Sequence, residues 1–516
     1  MDAPLSAVSD QRFKVLLTAQ DAFPELEALF LSAQDEIILC FRIFDPWTKL
    51  RSEQARRIGT TWFDLLSHTL RRGVRVSITI SDFDPIARAD YHQNSWASLR
   101  AAIAAGEVSG RPDLLQAKTS MHPARVGVVP RVILWLKSWT ELRRTVNRVN
   151  KQSPAQRERF VTETPFLRRH IGKRHGRLVA RLWPVPNLIP VTHHQKLAVF
   201  DNKRLYIGGL DLDDRRYDTP EHRQAGSQTW HDVQVVLSGP EVVEAREHML
   251  NFEAVTHGAA APGTQHLLRT ISQKRSWHAF ALSPVKRITE LAHAHETGAA
   301  AAQKLIYLET QFFRDRSYAR HLADQARQKP GLRMILILPG APEDVAFGSD
   351  PGIDARYGEY LQARCVKILR DAFGDRLFIG SPAQRRADPT PGRSTLYGAP
   401  LIYLHAKVSI FDDARAIVSS ANMNGRSLSW DTEAGVALTD SAHVRTLTDA
   451  CFRHWLDEHA TPEFFDITSA QQTWAKYASA NARTAPQNRK GFLLPYASAP
   501  AKRFGVNLPG VPEEMA

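Results

Sequence analysis

HHQKLAVFDNKRLYIGGLDL (193–212) and LHAKVSIFDDARAIVSSANMN (404–424) are two versions of one pattern. In each, a His-x-Lys-x4-Asp run crosses an apolar, β-branched stretch: His194, Lys196 and Asp201 in the first, His405, Lys407 and Asp412 in the second. Each is followed at the same distance by a turn of small residues, Gly208-Gly209-Leu210-Asp211 or Ser419-Ser420-Ala421-Asn422. With 20 histidines in the chain, one such run arises by chance in roughly 5% of sequences of this kind. Two runs with matched turns are the mark of an internal repeat.

The repeat extends outward. DEIILCFRIF (35–44) leads through a helix-like segment to VRVSITISDF (74–83), as KLIYLETQFF (304–313) leads through SYARHLADQARQ to LRMILILPG (332–340). After the motifs, HDVQVVLSGP with the helical EVVEAREHML matches TEAGVALTD with the helical SAHVRTLTDACF. Strands alternating with helical patterns predict an α/β fold. Two similar α/β halves with mixed, largely parallel sheets are expected, related by pseudo-two-fold symmetry with the site at their interface. The expected division is a first half over 1–260 with a basic insertion at about 110–175, a linker over 261–279, a second half over 280–465, and a C-terminal arm over 466–516 laid on the body. A shorter insertion is expected at about 382–400.

The chain has 516 residues, 43% of them hydrophobic, with 67 Lys and Arg against 54 Asp and Glu. That composition excludes collagen-like and disordered chains. Three cysteines, Cys40, Cys365 and Cys451, match no paired spacing, which excludes a zinc ribbon or redox pair and leaves three small buried hydrophobes. The N-terminal residues show no secretory signal pattern, and no window approaches the ~18 apolar residues of a membrane span. The cytoplasm or the membrane periphery is the expected location, with a specialised export machine as the alternative.

The net charge of +13 calls for an anionic partner. From Arg131 to Arg181 there are 14 Lys or Arg and 3 acids, so this segment carries nearly all of the excess. Within it Val132, Trp135, Trp139, Leu142, Val146 and Val149 recur at helical spacing, with Lys137, Arg143, Arg144 and Arg148 between them. Such a stripe suits a helix packed on its own domain. Trp135, Trp139, Arg143, Arg144 and Arg148 also suit contact with a lipid surface.

The spacing has a chemical reading. On a strand, His and Lys two positions apart project from one face. Two such strands brought together surround one point with two imidazoles and two ammonium groups, and Asn422 adds an amide donor. That is a cage for a tetrahedral phosphate. One imidazole can attack phosphorus while the other protonates the leaving oxygen and then activates water or an alcohol. The residues alone allow the two histidines to exchange roles. Asp232 and Glu433 follow the two motifs and can orient the imidazoles. Asp201 and Asp412 complete the motifs and belong to the catalytic set, although their odd offset from the histidines suits a turn or ion pair. His193, alternating to the opposite face from His194, is expected to be structural, and a zinc site from His193, His194 and His231 lacks a completing ligand.

These motifs resemble the phospholipase D superfamily. THHQK (192–196), GGLDL (208–212), Arg216-Tyr217-Asp218, Trp230-His231-Asp232 and IYLETQFF (306–313) are similar to its phosphatidylcholine-type branch. The resemblance implies His194 as nucleophile, His405 as general acid and base, and Lys196, Lys407 and Asn422 on phosphate oxygens. Asp211, Ser420, Gly209 and Gln311 complete the expected substrate-binding set. It implies hydrolysis of glycerophospholipids to phosphatidic acid and a free head group through a phosphohistidine, together with transfer of the phosphatidyl group to alcohols. The alternatives are a cardiolipin synthase-type phosphatidyltransferase, a nuclease of the same architecture, or a non-catalytic lipid-binding protein. No cofactor or metal is expected. The expected partner is a phospholipid membrane surface with phosphatidylcholine or phosphatidylethanolamine as substrate, not nucleic acid, and the expected state is a monomer without separate lipid-binding modules.

Overall fold

The computed structural model describes residues 13–277, 279–348 and 352–515, so the reading of the extreme N-terminus lies outside the described residues. The first half builds a seven-stranded sheet in the order Phe13–Leu17, Val233–Leu237, Arg204–Gly208, Leu197–Phe200, Glu36–Phe41, Arg75–Ser81, Leu115–Ser120. The second half builds nine strands in the order Val285–Thr289, Leu267–Gln273, Glu433–Leu438, Arg415–Ser419, Lys407–Phe411, Leu305–Thr310, Arg333–Ile337, Leu377–Pro382, Leu493–Pro495. Equivalent strands of the repeat occupy equivalent places in the two sheets.

Parallel pairing is confined to three strands in each sheet: those beginning at Glu36, Arg75 and Leu115, and those beginning at Leu305, Arg333 and Leu377. The other pairings are antiparallel. The sheets are therefore mixed but not largely parallel, which corrects the expectation. The reason lies in the motifs, where each motif strand returns on itself through a tight hairpin rather than crossing over by a helix. Asp201 (φ 48°), Asn202 (φ 53°) and Asp412 (φ 53°) take the left-handed turn conformation that Asp and Asn tolerate.

The central strands are buried on both faces and merge into one apolar cluster shared by both halves. It includes Ile38, Leu197, Ile207 and Val235 from the first half, and Leu404, Val408, Val418 and Val436 from the second. Such strands read as continuous Val, Ile and Leu runs because neither face meets water.

Three boundaries move. The expected linker contains Leu267–Gln273, a full strand of the second sheet paired with Glu433–Leu438. The basic insertion starts only after Leu115–Ser120, which is an edge strand of the first sheet. The C-terminal arm contributes the helix Ala470–Ala482 and the strand Leu493–Pro495, paired with Leu377–Pro382. Among the described residues no helix is long and apolar enough to cross a membrane.

The insertion forms the helices Val128–Ile133, Trp135–Val149 and Pro154–Glu163 and the hairpin Ile171–Arg174 with Arg177–Ala180. Leu142, Val146 and Val149 pack with Phe160, Leu167, Ile171 and Leu178 in a core of their own. The apolar stripe of the long helix is thus structural. Its cations are largely engaged within the fold: Arg148 holds Asp90 through both guanidinium nitrogens at 2.6 and 2.7 Å, and Arg144 holds Glu141 at 2.7 Å. Arg143 lies 4.7 Å over the ring of Trp139, and Trp135 packs at a tilt on Trp183 with ring centroids 4.4 Å apart. Trp135 and Trp139 are half-buried, while Arg143, Arg144 and Arg148 stay exposed on the outer face of the helix.

Candidate active site

The chain enters each motif strand by docking onto the opposite half. The backbone N–H of His194 donates to the carbonyl of Thr432 at 2.8 Å, and the N–H of His405 donates to the carbonyl of His231 at 2.8 Å. These contacts carry the isolated bridges His193 to Thr432 and His231 to Leu404. They also exchange the orienting carboxylates between halves. His194 Nδ1 lies 3.1 Å from Glu433 Oε2, and His405 Nδ1 lies 2.6 Å from Asp232 Oδ2. With Nδ1–H given to a carboxylate, the Nε2 lone pair of each imidazole is left for substrate. The sequence marked both carboxylates but not that each serves the other half's histidine.

Lys196 and Lys407 sit two residues after their histidines on the same strand face, and each ammonium donates back to its histidine's carbonyl. Lys407 Nζ also lies 2.9 Å from His405 Nδ1 and 3.5 Å from Gln311 Oε1, whose amide donates to the Tyr403 hydroxyl at 2.7 Å. Lys196 Nζ is 3.8 Å from Asp211 Oδ1. Asn422 is buried with its Oδ1 unpartnered.

Several expected substrate contacts serve the frame instead. Asp211 accepts the N–H of Ile43 at 3.0 Å and pairs with Lys196 and with Arg42 at 3.6 Å, so its carboxylate positions cations rather than meeting a substrate anion. Ser420 Oγ donates to Glu433. At Gly209 a Cβ would collide with Asp232 Oδ1, so the glycine lets that carboxylate approach the backbone. Asp201 and Asp412 lie at the far ends of their strands. Asp201 accepts the N–H groups of Gln34, Asp35 and Glu36, and Asp412 those of Gln303, Lys304 and Leu305. Both are corrected from the catalytic set to anchors that tie a motif hairpin to the start of its neighbouring strand.

Burial dominates the electrostatics. It pushes both active-site imidazoles well below their ordinary range, helped by Lys196, Arg42, Lys407 and Arg426 around His194, and by Lys407, Lys196 and Arg216 around His405. Burial lowers the Lys196 ammonium to about 8 and that of Lys407 to about 7, and raises the Glu433 carboxyl to about 8. Near neutral pH Lys196 is thus largely charged and Lys407 partly so, and an entering phosphate monoanion favours the charged form of both. The sign of the pH dependence follows. Below pH 7 both lysines are charged, and they lose that charge as pH rises through 7 to 8. The kcat/KM for a water-soluble short-chain phospholipid should therefore fall through this range, and kcat should fall at higher pH, because bound phosphate holds the lysines charged. A kcat/KM profile flat to pH 10 would contradict this.

Residues that the sequence reading quoted within motifs and strands but gave no role complete the frame. Trp230 tilts over His405 with ring centroids 4.6 Å apart, and the Arg216 guanidinium covers Trp230 at 3.9 Å. Arg42 approaches the His194 side from beneath Phe83 and Tyr91. Glu309 is buried among the Tyr307 hydroxyl, Trp455 Nε1 at 2.9 Å and His231 Nε2 at 3.3 Å. Each is a charged or aromatic residue beside a motif, but no spacing rule singles it out.

His193 turns away from the cage, its Nδ1 2.8 Å from Thr432 Oγ1. The ring nitrogens that do converge among the described residues belong to His222, His231 and His454, within 4.8 Å of one another. His222 Nδ1 lies 2.6 Å from Asp218 Oδ2, and its Nε2 lies 3.0 Å from His454 Nε2. The rings of His231 and His454 overlap at 4.2 Å between centroids, closer than the separation of about 5 Å for two histidines on one tetrahedral zinc ion. His222 and His454 are thus joined by a hydrogen bond, while His231 packs its ring on His454 and, at 4.3 Å between centroids, on Trp455.

Residues 299–455, spanning the second motif, match the family model described as cardiolipin synthase, PLD-like domain. Phospholipase D beta 2 of Arabidopsis thaliana is 22% identical over 396 residues, 52% of this chain and 42% of the relative. Phospholipase D beta 1 of the same plant is 22% identical over 439 residues, 60% of this chain and 39% of the relative. The chain thus spans about two fifths of the length of these relatives. Among solved structures, phosphatidylserine synthase of Haemophilus influenzae Rd KW20 superposes with a TM-score of 0.49 at 13% identity, covering 86% of each chain. Residues 299–455 are thus a PLD-like domain by their family-model match, and that match, the curated relatives and the duplicated motif together support a place for the chain in the phospholipase D superfamily.

Proposed function

We propose that the protein is a phospholipase D that cleaves the distal phosphodiester bond of glycerophospholipids. The observation that carries this reading is the pair of buried imidazoles, each oriented through Nδ1 by a carboxylate of the other half, with two lysines beside them. His194 Nε2 attacks phosphorus as the bond to the head-group oxygen breaks, and His405, which takes up a proton as the phosphate anion enters beside it, gives that oxygen its proton. The neutral His405 then takes a proton from water, whose oxygen displaces His194 and yields phosphatidic acid. The lysines offset the charge gathering on the non-bridging oxygens. An alcohol in place of water gives phosphatidyl transfer by the same two steps.

The name of the matched family model, cardiolipin synthase, favours a second reading in which the accepting group is the hydroxyl of another phospholipid. One assay separates the two. Phosphatidylcholine or phosphatidylethanolamine in mixed micelles should release choline or ethanolamine and accumulate phosphatidic acid, and phosphatidylglycerol alone should give phosphatidic acid and glycerol rather than cardiolipin. Cardiolipin as the main product would move the assignment to the transferase. Absence of turnover on all these lipids, with cleavage of DNA instead, would overturn both readings.

A further inference from the structure

We propose that Ile133, Leu136, Trp183, Trp277 and Phe280 form one apolar platform by which the protein docks on the surface of a lipid bilayer. These five side chains are 62–78% exposed, although each is among the residue types that folding buries. They come from three separated parts of the chain, and the fold draws those parts together. The N–H of Gly127 donates to the carbonyl of Ala281 at 2.7 Å and that of Val129 to the carbonyl of Ala279 at 2.8 Å, which seats the loop carrying Trp277 and Phe280 against the start of the helix Val128–Ile133. Trp135 packs on Trp183 with its ring tilted by 50° and donates its Nε1–H to the carbonyl of Leu182 at 2.9 Å, which joins the third segment. A patch of this kind on a soluble surface marks a contact.

Two features commit it to a bilayer rather than to a second protein. The first is charge: the platform grows from the segment Arg131–Arg181, with its 14 Lys or Arg and 3 acids. Exposed aromatic and aliphatic side chains on so cationic a segment are the composition that enters an anionic head-group layer. The second is position. Ala124, Val191 and Trp430 pack in one small cluster. The first leads into the platform, the second stands three residues before His194, and the third stands three residues before Glu433. Ser272, five residues before Trp277, donates its hydroxyl to the carbonyl of Trp430. All three segments of the platform are therefore rooted beside the mouth of the catalytic cage, where a lipid lifted from the bilayer would enter.

This inference rests on a phospholipid substrate for that cage, and the test separates the two. The full chain and its Ile133→Ser/Trp277→Ser/Phe280→Ser variant are sedimented with vesicles of phosphatidylethanolamine and phosphatidylglycerol, and both are assayed on a short-chain phosphatidylcholine below its micelle concentration. The variant should bind vesicles about 100-fold more weakly and lose vesicle turnover in step, yet keep its kcat/KM on the monomeric substrate. The defect should persist in 0.5 M salt, whereas Arg143→Glu should matter only at low salt. Equal vesicle binding by the two proteins would overturn the platform, as would a wild-type dimer that the variant converts to monomer without change in vesicle binding. Tight, platform-dependent vesicle binding with no cleavage of any phospholipid would overturn the catalytic reading and leave the docking surface standing.

Discussion

Replacing either His194 or His405 by Asn should reduce phospholipid turnover by on the order of 10⁴-fold or more, as removal of a nucleophile or its proton partner does where the groups act as a unit. The fold should survive, because both rings line the cage and an amide of similar size leaves the docking of Thr432 on His194 and of His231 on His405 to the backbone. The two variants should differ in kind. With a phosphocholine ester of p-nitrophenol, whose oxygen leaves without being protonated, the variant lacking the general acid should release one equivalent of nitrophenol in a burst and stop as a phosphohistidine. The variant lacking the nucleophile should release none. A burst from His405→Asn and none from His194→Asn assigns the roles as written above, and the reverse pattern exchanges them. Steady multiple turnover by either would overturn the two-histidine mechanism.

The second large effect is on stability. His193 and His248 are buried and uncharged, their imidazoles pushed down to about 3, and His295 is pushed down to about 4. Burial is the first cause in each, reinforced by the neighbouring His248, Arg269 and Arg415 respectively. Each folded-state value lies below the unfolded value, so the unfolded chain binds more protons. Stability is full above about pH 6.5 and is lost as pH falls from there toward the folded values. At pH 5 each histidine costs about 2 kcal/mol, about 6 kcal/mol for the three, against a typical total of about 5–15 kcal/mol. Urea unfolding should show a sharp loss between pH 6.5 and 5. His248 Nε2–H donates to Gln195 Oε1 at 2.6 Å, so His248→Gln keeps a donor there and should make the pH slope shallower by about 1.4 kcal/mol per unit. A stability unchanged between pH 7 and 5 would show that these rings are not buried in the neutral form.

The catalytic groups were legible because their spacing is local. His and Lys two apart on a strand share a face wherever the strand lies, and the repeat announced that two such strands exist. The odd offset of Asp201 and Asp412 was equally local, and it pointed to the turn role that the structure gives them. What the sequence could not carry was pairing between halves. Glu433 and Asp232 are each near one histidine in sequence and near the other in space, because the docking of His194 on Thr432 crosses the interface. The strand Leu267–Gln273 was hidden for a related reason. Its partner Glu433–Leu438 is remote, so nothing in its polar flanks signals a sheet. The amphipathic helix Trp135–Val149 showed a stripe and a charged face, but its cations found Asp90 and Glu141, while the apolar residues left outside came from segments with no shared periodicity.

The exchange of carboxylates also has a temporal side. While the chain is being synthesised, the first half can fold around His194 and Lys196, but its imidazole has no carboxylate to set its tautomer until Glu433 has left the ribosome and docked. His405, made later still than Asp232, finds its partner already in place. An incomplete product, or one cut between the halves and separated, would hold every motif of one repeat yet lack the carboxylate that orients its histidine.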